Sequence, residues 1–451
     1  MEHLVNKSVM RQLNGKTVAV IGPGGQQKLR HYEAMKLWGV RTVIVCSELD
    51  PTPNATYADD VIVVHGMYNH RDDEKNAKNI LDAINHGHLR LDGVLTLWED
   101  CAPLAARVAF ALGLPGVSPL AASIAKSKLE IHRVLARPWA TAQGTRLHVD
   151  TRALNSESDL EVAIEEIGLP AIIKLEHGSS AAAVVPVYTP AEARNNWSRI
   201  LRTLRLEEDW PGIGLGFGPR LVLSELLKGT EHDVEIVLWK GEQITAFVTD
   251  NGPTRHPSCA ESSAVMPSIM SGATRTLLVD SAMEACLRIG LVTGVFNIEL
   301  INTLDGPRVI DVNGRMGGFY IRDWVLEIWN YDLLEAAALC CIGIRPELPA
   351  SEPRKYITGA MLLPSVHGTW LSDPDNRRLL RSVASSKEEA ILVQFEENIH
   401  SHELVDEPWG NLAIGSQTSS SAVRSLLELW DVLGLRNYDP NIAQLLSGFK
   451  G

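Results

Sequence analysis

Two acidic residues stand close together in the stretch GVFNIELINTLDGPRVIDVNGRMGGFY, from Gly294 to Tyr320. Glu299 lies in the alternating run Val295 to Leu300, and Asp311 in the next run, Val309 to Asn313. Asp305-Gly306-Pro307 lies between them and reads as a hairpin turn. An antiparallel pair would set the two carboxylates side by side, with the amide of Asn313 adjacent. Hard cations such as Mg²⁺ take that kind of oxygen cluster, completed by phosphate and water. Arg315 follows, and Gly317-Gly318 lets a backbone approach closely. The chemistry would be that of a metal–phosphate site; the alternative is a surface hairpin with solvated charges.

The chain around this stretch has 451 residues, enough for two to four structural units with ample core. The net charge is −13, from 42 basic against 55 acidic residues, which argues against a nucleic-acid-binding surface. Local lysines, arginines and a metal could still hold a nucleotide. The six cysteines, Cys46, Cys101, Cys259, Cys286, Cys340 and Cys341, form no CxxC pair and no zinc spacing, and read as reduced thiols. MEHLVNKSVMRQL has no apolar signal core, and the apolar run Leu333 to Ile344 is too short to span a bilayer. The expectation is a cytoplasmic protein with neither nucleic acid nor membrane as partner.

The elements that must position the hairpin follow from periodicity. Thr17 to Gly22, a helical pattern from Gln26 to Trp38, and Thr42 to Cys46 make a βαβ opening. Gly22-Pro23-Gly24-Gly25 resembles a dinucleotide-binding turn, but the third glycine would fall at Gln27, so an NAD site is disfavoured. Strands at Val61 to Val64 and Val94 to Leu97 and a helix from Ala102 to Leu112 extend the pattern to a parallel sheet covered on both faces. Ser123 to Leu135 reads as one helix carrying Lys126 and Lys128, and Leu160 to Ile167 as another. Ala171 to Leu175 reads as a strand ending near Lys174 and entering the small-residue loop Glu176 to Ala183. Pro211 to Gly218 reads as a mobile glycine loop. Strands follow at Leu221 to Leu227, Val234 to Trp239 and Ile244 to Thr249, then a helix from Thr276 to Ile289. Trp324 to Ile344 reads as continuous helix. From Glu352 the composition shifts, with a β-rich opening at Tyr356 to Leu363 and a linker-like run at Ser416 to Ser421.

Joined in order, Lys128, Lys174, Glu225 with Gly229-Thr230-Glu231, then Glu299, Asp311, Asn313 and Arg315, resemble the ATP-grasp superfamily of carboxylate–amine ligases over roughly Ala121 to Arg345. FNIEL, VIDVNGRMGGFYIRDW and TDNGPTR look most like the carnosine-synthase and L-amino-acid-ligase branch. The resemblance implies an α/β fold: a Rossmann-like N-terminal domain (1–120), a two-lobed ATP-grasp unit (121–350) and a small C-terminal α+β domain (351–451). It implies that Lys128 and Lys174 hold ATP phosphates and that the loop Gly178 to Ala183 covers them. Backbone groups of Glu225, Leu226 and Leu227 would meet adenine, and Glu231 the ribose. Glu299, Asp311 and Asn313 would hold Mg²⁺ or Mn²⁺, with Asn313 and Arg315 in the catalytic centre. A guanidinium fork suits an acyl phosphate, whose charge is spread over several oxygens. Lys126 reads as an ordinary surface lysine. The chain departs from the family at Asp311, where glutamate is usual, and at Gly314, where proline is usual; the shorter Asp311 weakens bridging of two metals.

Substrate contacts are expected from Glu99, in Trp98-Glu99-Asp100 at a strand end, from Arg255 in the run Thr249 to His256, from Glu261, and from Arg315. The resemblance places a substrate-ammonium glutamate near Glu261; its partner histidine would fall at Ala264 and does not carry over. Arg255 could hold a carboxylate. For each of these, plain loop polarity is the competing reading. The implied reaction joins two amino acids, such as β-alanine and histidine, with ADP and phosphate released. Rivals are another ATP-grasp ligase or carboxylase acting on a different carboxylate, or a nucleotide-binding module without turnover. The expected partners are small amino-acid substrates; self-association is left open.

Overall fold

The computed structural model describes residues 11–50, 57–139, 146–204, 213–255, 259–349, 352–396 and 404–450. Three sheets form from these residues. Strands β1 (Thr17–Ile21), β2 (Arg41–Cys46), β3 (Asp60–Val63) and β4 (Gly93–Leu95) make a parallel sheet in the order β3-β2-β1-β4. The central strands are continuous apolar runs because helices cover both faces. Gly22 follows β1 at φ +76°, and a Cβ there would lie 2.6 Å from Cys101 Sγ, so only glycine fits the turn.

The second sheet is small and antiparallel. It contains β5 (Thr151–Leu154), β6 (Ala171–Leu175), β7 (Val185–Val187) and β8 (Leu221–Glu225) in the order β5-β8-β6-β7. The third holds β9 (Thr230–Trp239), β10 (Glu242–Asn251), β11 (Ser263–Met266), β12 (Gly294–Thr303), β13 (Gly306–Asn313), β14 (Tyr356–Leu362), β15 (Ala390–Gln394) and β16 (Gly410–Ser416). Its order is β13-β12-β9-β10-β11-β14-β16-β15. β14, from the compositionally distinct end of the chain, pairs directly with β11, Ser263 opposite Ala360. One core cluster joins Val18 and Val20 to Val237, Trp324, Ile357 and Ala413, so a single apolar mass links segments read as three domains. Trp324 fills it, and Gly359 makes room: a Cβ there would lie 2.7 Å from the indole.

Four sequence expectations change. The helix read over Ser123 to Leu135 is two helices, Pro119–Lys126 and Lys128–Leu135. Ser127 between them is extended (φ −110°, ψ 110°), and its hydroxyl accepts from Glu130 N. A serine can cap a new helix as readily as continue the old one. The helix read from Trp324 to Ile344 is Ile321–Trp329 and Leu333–Cys341, broken where Asn330 turns left-handed (φ 54°) and Asp332 caps the second helix. Ser416 to Ser421 is no linker: β16 ends at Ser416, Thr418 caps, and Ser419–Val432 is helix. Of the loop Pro211 to Gly218, residues 211 and 212 lie outside the described residues, but 213–218 are docked rather than free. Gly214 N donates to Asp100 Oδ2 at 3.1 Å, and Phe217 stacks between His70 and His177 at centroid distances of 4.6 and 4.7 Å. Among the described residues no helix is long and apolar enough to cross a membrane.

Candidate active site

The hairpin pairs as its alternation predicts. Glu299 stands opposite Asp311 and Asn297 opposite Asn313. The Asn313 amide donates to Glu299 Oε1 at 3.1 Å and to Asn297 Oδ1 at 2.8 Å. β9 runs alongside β12, placing Asp233 opposite Glu299 and Glu235 opposite Asn297. Side chains alternate along a strand, so Glu231, Asp233 and Glu235 share one face with Asn297 and Glu299. Glu231, Asp233, Glu299, Asp311 and Asn313 line a cavity of about 1030 Å³ between the sheets. Asp233 and Glu235 were missed by the sequence reading; the signal was the spacing of three acids in Thr-Glu-His-Asp-Val-Glu, an otherwise apolar strand.

The acids crowd one another. Burial, then the charge of Asp233, pushes Glu231 up to about 7. Burial also pushes Glu235 up to about 8, although Gly317 N donates to both its oxygens at 3.0 Å. Glu299 is raised well above the carboxylate range by burial, then by Asp311, Asp233 and Glu231. Among the described residues no three His, Cys, Asp or Glu side chains converge as a ready-made metal site. Glu299 and Asp311 with the Asn313 amide nevertheless suit a dication that phosphate and water would complete, because it would relieve the repulsion that raises Glu299.

Four lysines reach the same region. Lys128, first residue of its helix, donates to Asp311 Oδ2 at 2.7 Å and to Gly178 O at 2.6 Å. Lys174 points from β6 into the cavity, its pKa lowered by burial and then by Lys128. Lys126 is not a surface lysine. It is 4% exposed and bridges Glu99 at 2.8 Å and Asp100 at 2.6 Å. Its burial opposes the charge, but the two carboxylates outweigh it and raise its pKa. The fourth, Lys28, was not singled out from the sequence; it is 5% exposed and lines the cavity beside Trp98 and Arg315.

Arg315 extends from the end of the hairpin, donating to Glu99 Oε2 at 3.1 Å and to Met316 O at 2.6 Å. Its Nε is buried without an acceptor among the described residues. Between the small and large sheets, Glu225, Leu226, Leu227 and Lys228 line the cavity. Gly229 lets this segment pass close to β12, since a Cβ there would lie 2.3 Å from Asn302 O. The small-residue loop also lines the cavity, with Ser180, Ala181 and Ala183 at positive φ.

The expected substrate residues divide. Glu261 lines the cavity and accepts from Tyr320 OH at 2.5 Å; burial, then Asp233, raises its pKa well above the usual range. Glu99 lines the cavity, but Lys126 and Arg315 occupy its two oxygens. Burial raises its pKa, yet these cations outweigh burial and hold it low, so Glu99 anchors Lys126 and Arg315. Arg255, expected at a substrate carboxylate, is not among the residues that line the cavity; it pairs with Asp439, a residue only 1% exposed. His256 lies outside the described residues.

A parallel sheet, a small antiparallel lobe, and a large sheet whose strands carry the acids, enclosing one cavity, make up an ATP-grasp fold. Residues 32–116 match the family model for the ATP-grasp N-terminal domain. L-amino acid ligase from Bacillus licheniformis superposes with a TM-score of 0.73 at 17% identity, covering 93% of this chain and 98% of that one. A carboxyaminoimidazole ribonucleotide synthase from Aspergillus clavatus, complexed with ATP, does so with a TM-score of 0.71 at 15% identity, covering 94% and 99%. In sequence the chain is 38% identical over 460 residues to carnosine synthase 1 of Mus musculus, across 100% of its own length and 54% of that protein. The chain thus spans about half the length of the curated relatives it matches.

Proposed function

We propose that this chain is an ATP-dependent ligase that joins the carboxylate of one amino acid to the amine of another through an acyl phosphate. The observation that carries the reading is the cavity's charge pattern: the paired carboxylates of β12 and β13 stand beside Lys128 and Arg315, with Lys174 facing them. Lys128 and Lys174 hold the phosphates of ATP. Backbone groups of Glu225 to Leu227 meet the adenine, and Glu231 the ribose hydroxyls. Glu299, Asp311 and Asn313 would hold Mg²⁺, which when bound offsets charge on the phosphates.

A donor carboxylate oxygen attacks the γ-phosphorus, and the bond to the bridging oxygen breaks to leave ADP. The acceptor nitrogen then attacks the acyl carbon, the carbon–oxygen bond to phosphate breaks, and the nitrogen loses a proton. Arg315, aimed by Glu99, meets the charge spread over the phosphate oxygens. The loop Gly178 to Ala183 excludes water that would hydrolyse the intermediate. Glu261 and Asp233, both in the cavity wall, are the carboxylates that meet the donor's ammonium, whose charge would favour their ionised forms. The relatives' name suggests β-alanine and histidine as the first pair to try. The test is ADP release and peptide mass with ATP, Mg²⁺ and a panel of amino-acid pairs. ADP release with a carboxylate that is not an amino acid, and no peptide from any pair, would overturn the dipeptide reading.

A further inference from the structure

We infer that Lys28, at the N-terminal edge of the cavity, binds the carboxylate that the amine-donating amino acid keeps throughout the reaction. The inference rests on the ligase reading above. Its basis is a buried cation without a counter-charge. Lys28 follows the turn Gly22 to Gly25, and its N donates to Gly25 O at 3.0 Å. The stem is held: Gly24 is at φ +68°, and a Cβ there would lie 2.5 Å from Lys28 Cγ and 3.0 Å from the Trp98 ring. The residue forms the cavity wall together with Glu99, Arg315, Gly318 and Phe319.

The neighbouring cations are matched. Lys126 takes Glu99 and Asp100, Arg315 takes Glu99, Arg30 takes Asp323 at 3.0 Å, and Lys128 takes Asp311. No carboxylate among the described residues forms an ion pair with Lys28; Asp323 and Glu407 act on it only at longer range. Burial, then the charges of Arg315 and Arg30, lowers its pKa to about 7. An unpaired buried ammonium is costly, and an anion arriving beside it removes the cost. The phosphates have Lys128, beside Asp311, and Lys174, on the small sheet, and the donor's carboxylate is consumed. Of the two amino acids' anionic groups, the one that survives both chemical steps is the acceptor's own carboxylate. Lysine presents a compact charge for it, in a part of the cavity where Arg315 already carries a carboxylate partner and Lys28 does not.

The experiment compares wild type with K28M and K28Q, each saturated with ADP and Mg²⁺, by calorimetric titration of histidine, of histamine (the same amine without the carboxylate) and of β-alanine. The expected result is a loss of about tenfold or more in histidine affinity in both variants, with histamine and β-alanine within about twofold of wild type. Rates of peptide formation should show the same collapse of the preference for histidine over histamine. Histidine affinity equal in wild type and both variants overturns the inference. So does a loss shared equally by all three ligands, which would mark a structural role; thermal melts and ADP affinity report it if K28M folds poorly. Because binding is read without turnover, a wild type that makes no peptide sinks the ligase reading while the Lys28 comparison still decides its own question.

Discussion

Replacing Lys126 by alanine should lower folding stability by about 3 kcal/mol, a cost characteristic of a buried ion pair that loses one partner. The side chain is 2% exposed and bridges two carboxylates that are 8% and 3% exposed, so water cannot replace it. Glu99 would keep Arg315 at 3.1 Å, whereas Asp100 would keep only the Gly214 N–H at 3.1 Å. One carboxylate rather than two is left without a cation, which selects the lower end of the roughly 3–5 kcal/mol range for such losses. The Glu99 pKa is held below its ordinary value, so its pairing contributes stability above the carboxylate range, and that contribution is lost as the pH falls through its folded value. The gap between wild type and K126A should therefore close in acid. Urea unfolding at pH 7 and at pH 3.5, followed by fluorescence, measures both quantities. A loss under about 1 kcal/mol at neutral pH, the size expected of a surface pair, would refute the argument that Lys126 is structural.

The remaining expectations concern the cavity. Lys174→Ala should weaken ATP by roughly 1.5–3 kcal/mol, the worth of a charge-assisted contact, as read by calorimetry, with folding retained. Glu299→Ala should abolish Mg²⁺-dependent ADP formation while leaving the thermal melt near wild type; ordinary turnover in that variant would remove the metal assignment. Glu235, raised from an ordinary 4.5 to about 8, contributes stability that is fully present below 4.5 and lost as the pH rises through 8. Stability should thus decline from acid to mildly alkaline pH in wild type and decline less in Glu235→Gln, which differential scanning across that range would check.

The hairpin was legible because its information is local: period-two alternation, a turn, and acids at matching positions. Lys174 was legible for the same reason, as a cation interrupting an apolar strand. The acid face of β9 was not assembled from sequence, because it depends on the pairing of Thr230–Trp239 with Gly294–Thr303, which no local pattern specifies. Lys126 was misread because both partners sit on another element, at the end of the parallel sheet. Ser127 hid a break in a helix whose apolar spacing runs through it, since capping is decided by one hydroxyl. Arg255 looked available until Asp439 met it from far along the chain. Lys28 was passed over because the glycines before it were weighed only as an incomplete dinucleotide turn.

The pairing of β14 with β11 bears on how the chain is made. During synthesis β11 emerges with one edge bare, and its hydrogen-bonding groups stay unsatisfied until β14 leaves the ribosome. The core shared by Val20, Trp324 and Ala413 likewise cannot close before the last strands arrive. A nascent chain halted short of residue 356 would present an open sheet edge and a half-built interior to its neighbours. Chaperone engagement is expected to persist late, and fragments cut near residue 350 should aggregate rather than fold as smaller versions of the whole.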